Sequence, residues 1–214
     1  MNEQSERGEP DRYVDQPEAV RRLIHSAIRM FAIGEDPFAI HLLIQSADKL
    51  ILDIARKRNV SLAFDWEHVI KKEHQREFFQ LYRETYNFFK HADKGSERLP
   101  VHNIAEGNAA QLSIVIENYL TLFGSATAHM TAFRWFARLW KPSWFFQSIE
   151  DLLPQDRAQE LLKAWTVMRN GRPQEFFAAA FAKGVWNTAA LEEERNLDFA
   201  DNIEFYSTRF VDMD

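Results

Sequence analysis

The chain has 214 residues, 46% of them hydrophobic and 14% aromatic, with a formal net charge of −6. That size and apolar content suit one good-sized domain with a packed core, and the absence of cysteine excludes disulfides and thiolate metal sites. Residues 1–19 hold two basic and six acidic residues, residues 190–214 two and eight, and the interior 22 basic against 18 acidic, a balance that does not suit a general nucleic-acid binder.

In chain order, the first 19 residues are polar and lack the apolar stretch of a secretory signal. No later run is apolar enough to span a bilayer. A cytoplasmic protein that stays out of the membrane is expected. We read residues 1–16 as a disordered acidic segment, 17–195 as a single helical domain, and 196–214 as an acidic tail.

A first helix starts at Pro17 and ends at Gly34, with Val20, Leu23, Ile24, Ala27, Ile28 and Phe31 in one stripe. The second runs from about Pro37 to Arg58 and is apolar on most sides, which predicts a central position with Ile40, Leu43, Ala47, Leu50 and Ile54 almost wholly buried. Its basic end, "ARKRN", suits the negative end of the helix dipole. A third spans roughly Trp66 to Ala92, with Phe78, Leu81, Tyr82, Phe88 and Phe89 as its apolar positions, followed by the loop "DKGSERLP".

Asn103 and Glu106 have capping-box spacing ahead of a fourth helix, whose face is Leu112, Val115, Ile116, Tyr119 and Phe123 and which Gly124 closes. Ser125 is the expected cap of a fifth, with Ala132, Phe133, Phe136, Leu139 and Trp140 inward and Pro142 as its stop. Shorter helices are expected around 143–152, 155–169, 173–183 and 188–195. No segment alternates with period two over a useful length. The fold class is all-α, a helical bundle with additional C-terminal helices.

Three constellations carry candidate chemistry. On the third helix Arg83, Asn87 and His91 lie along one face, extended by Gln80. A cation, an amide and an imidazole in line would hold a phosphodiester, with His as general acid or base and Arg neutralising the phosphate. The plainer reading is a solvated polar face. On the second helix His41, Gln45 and Asp48 share a face and interrupt an otherwise apolar helix. Buried, they must be paired, either as a network that fixes helix register or as the wall of a cleft with Arg83, Asn87 and His91.

The third constellation is "FRWFARLWKPSWFF". There Arg134, Arg138 and Lys141 are interleaved with three tryptophans, a pattern that fits single-strand binding and, more simply, an amphipathic helix with a basic outer face. A metal is not expected, because His68 and His74 are six apart and no Glu–x–x–His pair occurs. Neither a Gly-rich phosphate loop nor a Gly–x–Ser–x–Gly elbow is present, and no cofactor is implied.

The window "YNFFKH" resembles the signature of the HEPN superfamily of helical-bundle ribonucleases and nucleotide binders: Arg, a polar residue, three residues, then His. Asn87 matches the polar position and His91 the His, while Tyr86 stands where the Arg belongs. Residues 36–94 also resemble a group of uncharacterised bacterial helical proteins. The resemblance implies an HEPN-like bundle, degenerate or non-catalytic, that binds RNA, a nucleotide or a protein partner, and that pairs as a homodimer. His41, Gln45, Asp48, Tyr86, Arg134 and Arg138 are then the binding candidates. The alternatives are an active metal-independent endoribonuclease of the toxin kind, using Arg83, Asn87 and His91, or a purely structural interaction protein.

Overall fold

The structure, a computed structural model, describes residues 14–66, 70–90, 98–99, 104–141, 144, 149–168 and 172–182. Within them the secondary structure is helical, without a strand: α1 Gln16–Ile33, α2 Pro37–Arg58, α3 Lys72–Lys90, α4 Ile104–Phe123, α5 Ala128–Trp140, α6 Ile149–Leu152, α7 Gln155–Met168 and α8 Pro173–Ala182. The all-α expectation holds. The expected helix at 188–195, both chain ends (1–13 and 183–214), Asn103 and His91 lie outside the described residues.

Local chemistry explains the sharp ends of α1 and α2. The Asp15 side chain accepts from Glu18 N–H at 2.8 Å, and Asp36 Oδ1 accepts from Phe38 and Ala39 N–H at 2.9 and 3.0 Å, so each helix has an acidic N-cap followed by proline in its first turn. Gly34 (φ 72°) and Asn59 (φ 53°) close them in the left-handed conformation, with Glu35 N–H reaching Met30 C=O and Val60 N–H reaching Ala55 C=O. The cap of α5 is Thr127, whose hydroxyl accepts from Met130 N–H. The expected Ser125 lies two residues too early.

Side-chain pairs fix the directions. Gly34 reverses the chain, so α2 packs antiparallel on α1. Residue pairs 41/108, 45/111 and 58/123 show that α4 runs alongside α2 in the same direction. Pairs 25/129 and 31/136 do the same for α5 on α1. Pairs 38/89 and 45/82 set α3 antiparallel on α2. Lastly, α8 docks on α1, and α6 packs on α7.

The core lies among α1, α2, α4 and α5. Val20, Ile24, Ala27 and Ile28 meet Ile44, Ile51, Leu112, Ile116 and Met130 there. Phe31, Phe133, Phe136, Trp140, Phe176 and Phe177 form an aromatic cluster at one end, with ring centroids 5.0–6.5 Å apart. Each wholly buried ring contributes about 1.5–3 kcal/mol of transfer free energy.

Two expectations need correction. Ile40, Ala47 and Ile54 are buried as expected, but Leu43 and Leu50 are only partly so. Their places inside are taken by His41, Gln45 and Asp48, because the polar line of α2 turns toward α3 and α4 while the two leucines fall on the margin. Continuous α3 begins at Lys72, not at Trp66. Ahead of it Asn118, itself buried, clamps both backbone groups of Phe64, accepting from its N–H at 2.8 Å and donating to its C=O at 3.0 Å. That clamp holds the segment before Trp66 in a loop against α4.

Candidate functional site

The polar line of α2 is buried. His41, Gln45 and Asp48 are 6%, 4% and 3% exposed, and each engages a different neighbour. His41 Nδ1 lies 3.0 Å from Asn108 Oδ1. The Asn108 amide donates its Nδ2–H to Pro37 C=O at 2.7 Å, which leaves Oδ1 as the atom facing the imidazole. His41 must therefore carry its proton on Nδ1, and its Nε2, an orphan buried acceptor among the described residues, holds a lone pair. Burial lowers the His41 pKa, and the Asn108 hydrogen bond only partly offsets this.

Gln45 Nε2 donates to Gln111 Oε1 at 3.0 Å and, at 3.4 Å, to Tyr82 C=O on α3. Asp48 faces the Tyr82 hydroxyl, with Arg83 as the nearby cation. Burial pushes the Asp48 carboxyl up to about 6, and the Arg83 charge and the Tyr82 hydrogen bond recover only part of that cost. The Trp66 indole lies beside Tyr82, with ring centroids 6.0 Å apart. Burial first, and then the Asp48 charge, push the Tyr82 pKa up, so it stays a neutral donor.

The three in-line residues of α3 are not gathered at one point. Arg83 is half-buried, and its guanidinium lies over the Phe79 ring at 5.5 Å. Phe79 is one turn nearer the helix start, so the cation points away from Asn87. Asn87 itself is exposed. Tyr86 is half-buried under Lys90, whose Nζ sits 5.3 Å from its ring centroid and 3.4 Å from its hydroxyl. Of the anticipated meeting between the polar lines of α2 and α3, the Asp48–Arg83 approach is present. Asn87 does not face Asp48, and His91 is outside the described residues.

The basic residues of α5 are turned on their own neighbour. Arg134 pairs with Glu117 through two nitrogens at 2.8 and 3.3 Å, and Lys141 reaches Glu106 at 2.9 Å. Burial and the adjacent Arg134 lower the Arg138 pKa, while Glu117 supports its charge. These cations tie α5 antiparallel to α4.

A second polar pocket of the core was not anticipated. His25 and His129 are fully buried and stack at 4.5 Å, and His25 Nε2 lies 2.7 Å from the Thr127 hydroxyl that caps α5. Sequence reasoning also missed Tyr82, Asn108, Gln111 and Asn118. The available signal was three amides inside the apolar α4 pattern, which a search for apolar periodicity passes over. Among the described residues no group of three His, Asp or Glu lies close enough to hold a metal ion, and no helix is long and apolar enough to cross a membrane. Comparison of the chain with family models, curated proteins and solved structures returns no match.

Proposed function

We propose that this chain is a non-catalytic, HEPN-like helical protein that acts by binding a protein partner, with a second copy of itself as the first partner to test. The observation that carries the reading is the posture of Arg83. Cleavage at the Arg83–Asn87–His91 face needs a guanidinium beside the scissile phosphate, where charge develops. Here that guanidinium is drawn back over Phe79 and toward Asp48, and Tyr86, in the position where the HEPN signature places Arg, is occupied by Lys90. A protein partner is favoured over RNA because Arg134 and Lys141, from the aromatic-interleaved stretch that would suit single-strand contact, are paired with Glu117 and Glu106 within the bundle and so are engaged away from a phosphate backbone.

The test combines two measurements. Single-stranded RNA incubated with the purified protein in EDTA should stay intact, and sedimentation over a concentration series should show self-association that does not weaken in RNA-free buffer. Metal-independent cleavage that disappears in both His91→Ala and Arg83→Ala would overturn the reading in favour of the endoribonuclease. A strictly monomeric protein that binds RNA with a steep salt dependence would overturn it in favour of nucleic-acid binding.

A further inference from the structure

The seam between α2 and α3 contrasts with the packing of α1. Among the described elements α3 has one substantial packing partner, α2, and none of its described side chains is fully buried. Among the described side chains the two helices share polar contacts: the long Gln45 bond to Tyr82 C=O at 3.4 Å, and the Tyr82 hydroxyl and Arg83 charge near Asp48. Apolar support comes from Phe38 against Phe89 at 5.1 Å, with Phe89 still 45% exposed. Three residues on from Gln45 on the same line of α2 lies the Asp48 carboxyl, 3% exposed.

We propose that the α2–α3 seam is a pH-gated latch: α3 is seated on α2 while Asp48 is protonated, and ionisation of that buried carboxyl favours the swing of α3 away from α2. The groups facing Asp48 decide the sign. From α3 they are Tyr82, which stays a neutral donor, and Arg83, whose charge resists opening. Trp66 backs the Tyr82 hydroxyl. Among the described residues the α4 side supplies uncharged Gln111, through Gln45. Where α2 meets α1 it is aliphatic, with Ile44 and Ile51. On α2 itself the one other titratable member of the buried line is His41, bonded to α4 and not to α3. Burial outweighs Arg83 and Tyr82, so the seated carboxyl titrates at about 6, against about 3.9 when hydrated.

The seated state thus binds more protons between those values, and opening becomes easier as pH rises through them. The two pKa values imply an opening equilibrium about tenfold larger at about pH 7.5 than at about pH 5. The latch is independent of whatever the protein binds.

Hydrogen exchange of residues 72–90, corrected for the intrinsic pH dependence of exchange, reads this directly. Wild-type protein should lose about tenfold of its α3 protection over that pH range, with α1 unchanged, and Asp48→Asn should flatten the response. A flat wild-type profile overturns the proposal, and so does an equal slope in Asp48→Asn, which would assign the titration to His41. Tyr82→Phe gives an independent reading. Removing a donor to the carboxylate should move the midpoint of the opening to higher pH, and an unmoved midpoint counts against the latch.

Discussion

Helices α1 and α3 are nearly equal in length, 18 and 19 residues, and both are amphipathic. Their fates differ. Helix α1 packs against α2, α4, α5 and α8, buries Val20, Ile24, Ala27 and Ile28 completely, and is capped at both ends. Helix α3 rests mainly on α2, through half-buried side chains and a polar seam. Amphipathic spacing tells that a helix has an inner face. How firmly it is held depends on how many neighbours share that face and on whether the shared atoms are carbon or ionisable oxygen.

The largest expected effect tests this contrast through phenylalanine. Phe136 is fully buried and touches Phe31, Phe133, Trp140, Phe176 and Phe177. Phe136→Ala should cost about 3–5 kcal/mol in urea unfolding. Phe89→Ala, on the open end of α3, should cost less than about 1 kcal/mol. Equal losses would show that α3 is part of the cooperative core.

Next in size is Asp48→Asn, which should stabilise the protein. The folded carboxyl titrates higher than the unfolded one, so the native state binds the extra proton and wild-type stability falls as pH rises from about 4 to about 6. Above that window the variant should gain about 1–3 kcal/mol over wild type, and near pH 4 about nothing. Denaturant curves of both proteins at the two pH values check the sign. A variant less stable at neutral pH would mean that the Arg83 attraction exceeds the cost of burial.

Gly34→Ala probes the firmly held side. Gly34 has φ 72°, and a Cβ there would lie 2.0 Å from Gln174 Nε2, so the change strains the cap of α1 and pushes at the docking of α8. A loss of about 1–2 kcal/mol is expected. Gly107→Ala makes the internal control: a Cβ there meets nothing within 4 Å, and an alanine in the first turn of α4 should gain up to about 0.5–1 kcal/mol.

The parts legible in the sequence were those set by nearby residues. Pro17, Gly34 and Pro37 mark α1 and the start of α2 because capping acts within one turn. The line His41–Gln45–Asp48 was visible as polar residues interrupting an apolar helix, and Arg83 was a correct neighbour for Asp48. What escaped depended on partners far along the chain. Asn108 holds His41 across 67 residues and Asn118 holds Phe64 across 54, and no local pattern announces such pairs. Tyr82 was counted as core because its ring is apolar, yet its hydroxyl lies beside the buried Asp48 carboxyl. Thr127 was passed over for Ser125 because both are good caps, and only backbone direction chooses between them.

The smallest expected effect is the most discriminating for function. Arg83→Ala removes a cation whose charge holds the Asp48 pKa down, so the buried carboxyl should be pushed higher still. At about pH 5 Asp48 is mostly protonated and the substitution should change stability little. At about pH 7.5 the lost attraction should cost about 0.5–1 kcal/mol, kept modest because Arg83 is partly solvated. In an Asp48→Asn background that cost should shrink toward zero at both pH values, since the coupling needs the carboxylate. A catalytic Arg83 would behave otherwise. Its removal would leave stability unchanged at every pH and abolish RNA cleavage, because its work would be done on substrate and not on Asp48. Measuring stability at two pH values alongside RNA cleavage, for Arg83→Ala with and without Asp48→Asn, therefore separates a guanidinium that holds α3 to the bundle from one that waits for a phosphate.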